Sequence, residues 1–459
     1  MRVDGKKAIR FTDNNHAELA EMPENLFALK VEFFDNSGKP MNIVFKKLKR
    51  FRISMGHALG DYTSFKKHSF ENKLMLVTSK DELLESSMNE LFEETQTLYL
   101  EVDGMKDLEE VLVEPKCVPQ HSFNNLRVLD VFKCSNLKCL FTVPMVSGLT
   151  KLERLTVSEC PVLDVLAYND NGGDGVIKFQ ELKFLSLDKL PKLVGLCNTA
   201  NVIELPELVE LILDGLPNFT SIYPRNTSAI SSISSNVSKN QPFLNKEMLV
   251  SKLEILRIRR MDKLKEIWPY QFSSSDEVNA CMLTKIEVME CDNLVNLFPT
   301  NPMSLLGRLE ELHVSECGSI EVLFNIDMSC VGEIEELSSN LRFIYVNGLG
   351  KLRELWSMKG ECSFDILIRS FQAIEIIEIR SCERFVNVFM PTVSNSNVRT
   401  LMNVTIDGRR PCEETGRNIE LLQNSQEVCD VIHLSISILM FTTLICMWLY
   451  IPSHLNVYL

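Results

Sequence analysis

The sequence predicts an α/β solenoid: short strands stacked side by side into one concave parallel sheet, with an irregular convex side behind it. Three observations predict this. Four apolar residues at positions i, i+3, i+5 and i+8 recur along most of the 459-residue chain; a second apolar pair follows each copy at a fixed offset; and the copies are 26 to 33 residues apart with one exception. A unit of this kind cannot bury its own apolar face, so it is informative only when it repeats and stacks on its neighbours.

The clearest unit is 308–324, RLEELHVSECGSIEVLF, where Leu309, Leu312, Val314 and Cys317 are followed by Ile320 and Leu323. This is the pattern of a leucine-rich repeat. The same inward positions recur as Leu126, Leu129, Val131 and Cys134, and as Leu152, Leu155, Val157 and Cys160. They recur again in copies starting at Leu182, Leu208, Leu253, Leu283, Leu341 and Ile374. Weaker copies stand at Thr97, Leu100, Val102 and Met105, and at Leu401, Val404 and Ile406. The second half keeps its own register, with Leu137/Leu140, Leu193/Leu196, Leu294/Leu297 and their counterparts.

In chain order, residues 1–25 form an extension without the apolar run of a secretory signal. Residues 26–94 read as degenerate leading repeats, with strands expected at 26–34, 48–53 and 73–77. Asp81 to Thr95 has apolar residues at helical spacing and no Gly or Pro, which predicts a helix. The repeat array runs over 95–408, and the one long interval holds a Ser/Asn-rich surface loop at 221–245, with smaller loops at 168–175 and 271–279. With no polar cap ahead of the first strand, the chain reads as part of something longer. After a linker at 409–430, residues 431–451 (VIHLSISILMFTTLICMWLYI) carry no formal charge and are long enough to span a bilayer. Arg409, Arg410 and Arg417 precede that segment and no Lys or Arg follows it, so the repeats are expected on the cytoplasmic side.

The net charge of −14 disfavours nucleic acid, whose nonspecific binding needs Lys and Arg to neutralise phosphates. None of the fourteen cysteines forms a C-x-x-C pair, and Cys134, Cys160, Cys291, Cys317 and Cys382 occupy the repeat's last inward position, where sister repeats carry Leu or Met. They read as small buried thiols in a reducing compartment, not as disulfides or metal ligands. The sequons at Asn218, Asn226, Asn236 and Asn403 are therefore expected to be silent. No nucleophile motif such as G-x-S-x-G or H-E-x-x-H occurs, and the adjacent acidic pairs read as solvated. No enzyme activity, metal or cofactor is expected.

The blocks NLRVLDVFKCSNLKCLF, KLERLTVSEC and RLEELHVSECGSIEVLF, with VEFFDNSGKPMNIVFKKLKRFRISMG near the start, resemble the repeat region of plant coiled-coil, nucleotide-binding, leucine-rich-repeat disease-resistance receptors. The resemblance covers roughly residues 20 to 410. It implies a non-enzymatic recognition module of plant defence, whose partner would be a pathogen effector, a guarded host protein or a receptor's nucleotide-binding domain. A Walker A pattern is absent from these 459 residues, so the family's nucleotide-driven switch does not carry over. The other reading is the substrate receptor of a ubiquitin ligase, for which 1–25 is too short to supply an F-box.

Side chains alternate along a strand, so the residues between the inward ones face out of the sheet. Asp130, Phe132, Phe184, Asp188, Asp214, Ile255, Arg257, Arg259, Glu287, His313, Phe343, Tyr345, Glu378 and Arg380 are the expected protein-binding positions on that face. Its first half is expected to be acidic, Arg257 and Arg259 to form a basic step in the middle, and the aromatic residues to lie exposed as an apolar patch. His313 is outward and reads as a solvated residue rather than a base. The inward and outward assignment is testable in one repeat. Cys317→Asp buries an unpaired charge and is expected to cost roughly 3–5 kcal/mol, whereas Ser315→Asp stays within about 0.5 kcal/mol. Equal thermal melts for the two variants would contradict it.

Overall fold

The computed structural model describes residues 9–11, 28–33, 48–56, 72–112, 122–168, 176–197, 202–220, 222, 243–244, 252–268, 281–300, 302–327, 339–359, 371, 373–385 and 403–406. The chain divides into two units, Met1–Thr405 and Ile406–Leu459. The first is built on a fifteen-stranded sheet whose strands lie in sequence order: Ile9–Phe11, Ala28–Phe33, Arg50–Met55, Lys73–Ser79, Thr97–Asp103, Val128–Phe132, Arg154–Ser158, Phe184–Asp188, Glu210–Asp214, Ile255–Arg259, Lys285–Met289, Glu311–Ser315, Phe343–Asn347, Ile376–Arg380 and Asn403–Ile406. Of the second unit only Ile406 is described. The segments 221–245, 168–175 and 271–279 lie wholly or mostly outside the described residues, and the whole of 431–451 does. Among the described residues no helix is long and apolar enough to cross a membrane.

Seven strands alternate half-buried and buried residues along their length, as the repeat spacing requires. Their inward residues join one continuous core running from Leu29 to Phe385. Pairing is parallel and in register, for example Arg257 beside Glu287 and Glu287 beside His313. One carbonyl just before each strand accepts from two successive amides of the next repeat: Glu153 from Lys183 and Phe184, Glu254 from Thr284 and Lys285, Glu310 from Arg342 and Phe343. This fixes where each strand begins.

The end of each strand is fixed by a second device. Among the described residues, the residue after it is left-handed at eleven strands: Gly56, Gly104, Lys133, Glu159, Lys189, Gly215, Arg260, Glu290, Glu316, Gly348 and Ser381, with φ between 50° and 81°. In eight of them the amide of this residue donates to the last strand carbonyl of the next repeat, at 2.8–3.0 Å. Only four are glycine, so seven repeats accept a conformation that costs an L-residue roughly 1–2 kcal/mol. The fourth inward residue follows directly, and where it is Cys its thiol donates to the carbonyl two residues back: Cys134 to Phe132, Cys160 to Ser158, Cys291 to Met289, Cys317 to Ser315 and Cys382 to Arg380. A leucine fills the same space without that donor. A turn then closes from the carbonyl of the fourth inward residue to the amide three residues on, as from Cys291 to Leu294 and from Leu349 to Leu352.

Behind the turn, the residue after the second apolar pair builds an aromatic column. Trp268, Phe298, Phe324 and Trp356 stack with centroids 5.3–6.4 Å apart, and Phe371 closes on the last two. Short parallel pairings run alongside, at Cys139–Thr142 with Val165–Tyr168 and at Val322–Asp327 with Glu354–Lys359.

Three features differ from the sequence expectation. Leu98 pairs with Leu129 and Leu100 with Val131, so Thr97 takes the place of an outward residue and the first regular repeat is shifted by two positions. Leu98 takes the slot beside Leu129 that the spacing gave to Leu100, and Leu100 the slot beside Val131 that it gave to Val102. The helix expected over 81–95 is broken: Lys80–Ser86 is α-helical, capped by Ser79 with Glu82 returning the bond, then Ser87 turns left-handed (φ 57°) and Met88–Glu94 continues as a 3-10 helix. The break lets Leu83, Met88, Leu91 and Phe92 all reach the core. Ile9–Phe11 also pairs in parallel with Val31–Phe33, a strand for which the sequence carries no repeat signal.

Gly56 sits at φ 79° directly after Arg50–Met55, and a Cβ there would overlap the Val77 carbonyl. Gly56→Ala is therefore expected to lose at least the roughly 1–3 kcal/mol of a forced backbone conformation in urea unfolding, and a melt equal to wild type would contradict that geometry.

Candidate recognition face

The register lines the outward residues up into three columns across the sheet. The middle one runs Asp130, Thr156, Ser186, Ile212, Arg257, Glu287, His313, Tyr345 and Glu378. The expected protein-binding residues therefore do share one face. Their surroundings differ from the expectation in three ways.

First, the leading end of the face is closed. Asp130 is 3% exposed, and Met75 and Tyr99 are buried in a small cluster of their own against Val77 and Phe132. The Tyr99 and Phe132 rings stack at 5.2 Å. Asp130 thus offers no open carboxylate to a partner. Second, the apolar residues are half-buried, not exposed: Phe132, Phe184, Ile212, Ile255, Met289, Phe343 and Tyr345 are all shielded by the strands on either side. The guanidinium of Arg154 lies 3.6 Å from the centre of the Phe184 ring, that of Arg342 lies 5.0 Å from Phe343, and Tyr345 stacks on His313 at 4.5 Å. Burial holds the Arg154 guanidinium below its ordinary pKa.

Third, the basic step is already neutralised by the chain's own carboxylates. Arg257 donates from Nε to Glu287 at 3.0 Å and from Nη1 to Glu210, and Arg259 reaches Glu287 from Nη2 at 3.3 Å. Lys285 bridges Glu287 at 3.1 Å and Glu311 at 2.8 Å, and Glu311 lies 3.4 Å from His313 Nε2. Burial pushes the Glu287 carboxyl up, but Lys285 and Arg257 outweigh it and hold it below the usual range. The hydrogen bond from Lys285 does the same to Glu311. Arg260, left-handed at the strand's end, turns to the edge of the sheet and holds Asp214 at 2.7 Å and Asp188 at 3.8 Å. Asp188 also accepts from Ser158 at 2.8 Å, and burial raises its pKa. Glu378 pairs with Arg380 on its own strand.

Reading the outward residues one strand at a time missed this network. Glu210, Lys285 and Glu311 carry it, and the signal was the opposite sign of neighbours in the same slot, Arg257 beside Glu287 and Lys285 beside Glu311. Along the strand-end edge, Asp262, Glu290, Asp292 and Glu316 line a shallow groove of about 510 Å³ with Gly215, Gly318 and Gly348. Among the described residues no group of three or more His, Cys, Asp or Glu could hold a metal ion. Cys317 and burial push the Cys291 thiol up, and burial raises Cys281 and Cys382, whereas the contact with Cys134 lowers Cys160 and that with Cys291 lowers Cys317.

A family model described as plant disease resistance protein RPS2-like, leucine-rich repeats, matches residues 14–161, 96–230 and 251–409. No curated protein matches the chain.

His313 is held below its ordinary pKa first by burial and then by Lys285, against the pull of Glu287 and Glu311. Its folded value is depressed, so its contribution to stability is present above the imidazole's ordinary value of about 6.5 and is lost as pH falls through the folded value. The melting temperature is expected to fall between pH 7 and 5.5, and less so in His313→Gln. Identical falls in the two proteins would contradict this environment.

Proposed function

Because the chain belongs to the RPS2-like leucine-rich repeats of plant disease-resistance proteins, we propose that it is a non-enzymatic protein-recognition module of plant defence that binds its partner on the outward face of the sheet. The partner is a protein: a pathogen effector, a guarded host protein or a receptor's nucleotide-binding domain. The observation that carries this reading is the run of adjacent, in-register strands from Arg154 to Arg380 whose outward residues are half-open and mix aromatic rings with ion pairs. A continuous platform of that composition suits a protein surface, where aromatic residues and Arg carry most of the binding energy.

The eight described cysteines are all free thiols, as suits repeats working in the reducing cytosol. A membrane tether through 431–451 remains part of the proposal on its sequence alone, since the segment lies outside the described residues.

The test is affinity capture from infected and healthy leaf tissue with three proteins: wild type, a Phe343→Ser/Tyr345→Ser variant, and a Val176→Ser control on an exposed residue away from the face. Proteins held by wild type and by the control, and lost from the double variant, are the expected result. Equal recovery by all three would overturn the assignment of the face.

A further inference from the structure

The network in the middle of the face does not satisfy its two arginines equally. Arg257 is committed by two carboxylates from flanking strands, Glu210 and Glu287, and is a quarter exposed. Arg259 reaches one carboxylate, by a single bond of 3.3 Å, and Glu287 already accepts from Arg257 and Lys285. Its Nε is shut away from solvent with no hydrogen-bond partner, yet the side chain is 34% exposed. A guanidinium carries five N–H donors in a flat fork suited to two-point contact with a carboxylate. Only one of the five is placed here.

The carboxylate next to Arg259 in register does not complete it. Asp214 is its neighbour on the preceding strand, but the left-handed turn brings the Arg260 guanidinium onto Asp214. That pairing lowers the repulsion an incoming anion would meet on this side. On the following strand the neighbour is Met289, half-buried and apolar.

We propose that Arg259 is the anchor for an acidic side chain of the partner protein, which docks on its outer Nη edge with an adjoining apolar residue on Met289, while Arg257 is internal framework. The inference rests on the recognition reading above and sharpens it, since it assigns opposite roles to two arginines that the sequence cannot tell apart. Charge complementarity selects the occupant: a carboxylate gains the unfilled donors, whereas a basic or purely apolar group leaves them as they are.

The experiment uses purified full chain and three blocked peptides, so it does not depend on tissue partners and can fail independently of the capture assay. Acetyl-Leu-Glu-Leu-amide, acetyl-Leu-Gln-Leu-amide and acetyl-Leu-Gln-Leu free acid are titrated while the arginine Nε–H resonances are followed by NMR, with Arg259 assigned by its loss in Arg259→Lys. The Glu peptide is expected to shift the Arg259 resonance saturably and the Gln amide not at all. Arg259→Gln is expected to weaken the Glu peptide by about fivefold, the reach of one half-exposed ion pair, with the melting temperature unchanged. Arg257→Gln is expected to lower the melting temperature, because it strips Glu210 and leaves Glu287 with one cation fewer. If Arg259→Gln lowers the melting temperature as much as Arg257→Gln does, or the amide peptides bind alike, Arg259 is framework and the proposal fails. An equal response to the free acid would overturn the assignment to a side chain.

Discussion

The structure depends on one hydrogen bond that repeats eight times among the described residues: the amide of the left-handed residue after each strand from Val128–Phe132 to Phe343–Asn347, donated to the last strand carbonyl of the next repeat. Two amides sharing one carbonyl define where a strand starts, but without this bond nothing would stop it five residues later. The consequence is a turn at the same place in every repeat, which delivers the fourth inward residue into the core and the second apolar pair behind it. Conformational strain is the cost, spread over seven non-glycine residues. It is offset because six of the seven bond forward to the next repeat and the strands concerned bury two branched aliphatic residues that are nearly inaccessible. Stability is therefore a property of neighbouring pairs rather than of single repeats.

The same stacking explains the chemistry of the outward face. Parallel strands in register bring equivalent positions of successive repeats side by side, so a residue's partner is a repeat away in sequence and adjacent in space. Glu210, Arg257 and Glu287 are consecutive in this sense, as are Lys285 and Glu311. Ion pairs of this kind, partly buried and shared among several groups, position side chains more than they stabilise the fold. They fix which charges are available to a partner and which are not. On this face Arg257 is consumed and Arg259 is left open at its outer edge.

Much of the repeat architecture was legible in the sequence because it rests on periodicity. The inward residues from Leu126 to Cys382, the parallel order and the shared outward face all follow from one spacing and the alternation of side chains. Thr97 was misplaced because Leu98 and Leu100 both fit an inward slot, and only the pairing with Leu129 and Val131 chooses between them. Ser87 gave no sign of breaking a helix whose spacing was sound, since the break is imposed by the core it packs on. The outward chemistry was less legible for a different reason. Whether Arg257, Asp130 or Phe343 is open depends on side chains one repeat away, and a list taken strand by strand treats each as alone. The cysteines show an intermediate case: their burial followed from their slot, but the bond from each thiol to the strand-end carbonyl needed coordinates.

Hydrogen exchange of the left-handed residues tests the central claim most directly. If the turn ladder holds successive repeats together, the amides of Lys133, Glu159, Lys189, Gly215, Arg260, Glu290, Glu316 and Gly348 will be protected as strongly as the strand amides beside them. Exchange of these eight at the rate of open loops, with the strands still protected, would show that the repeats stack without the bond on which this account is built.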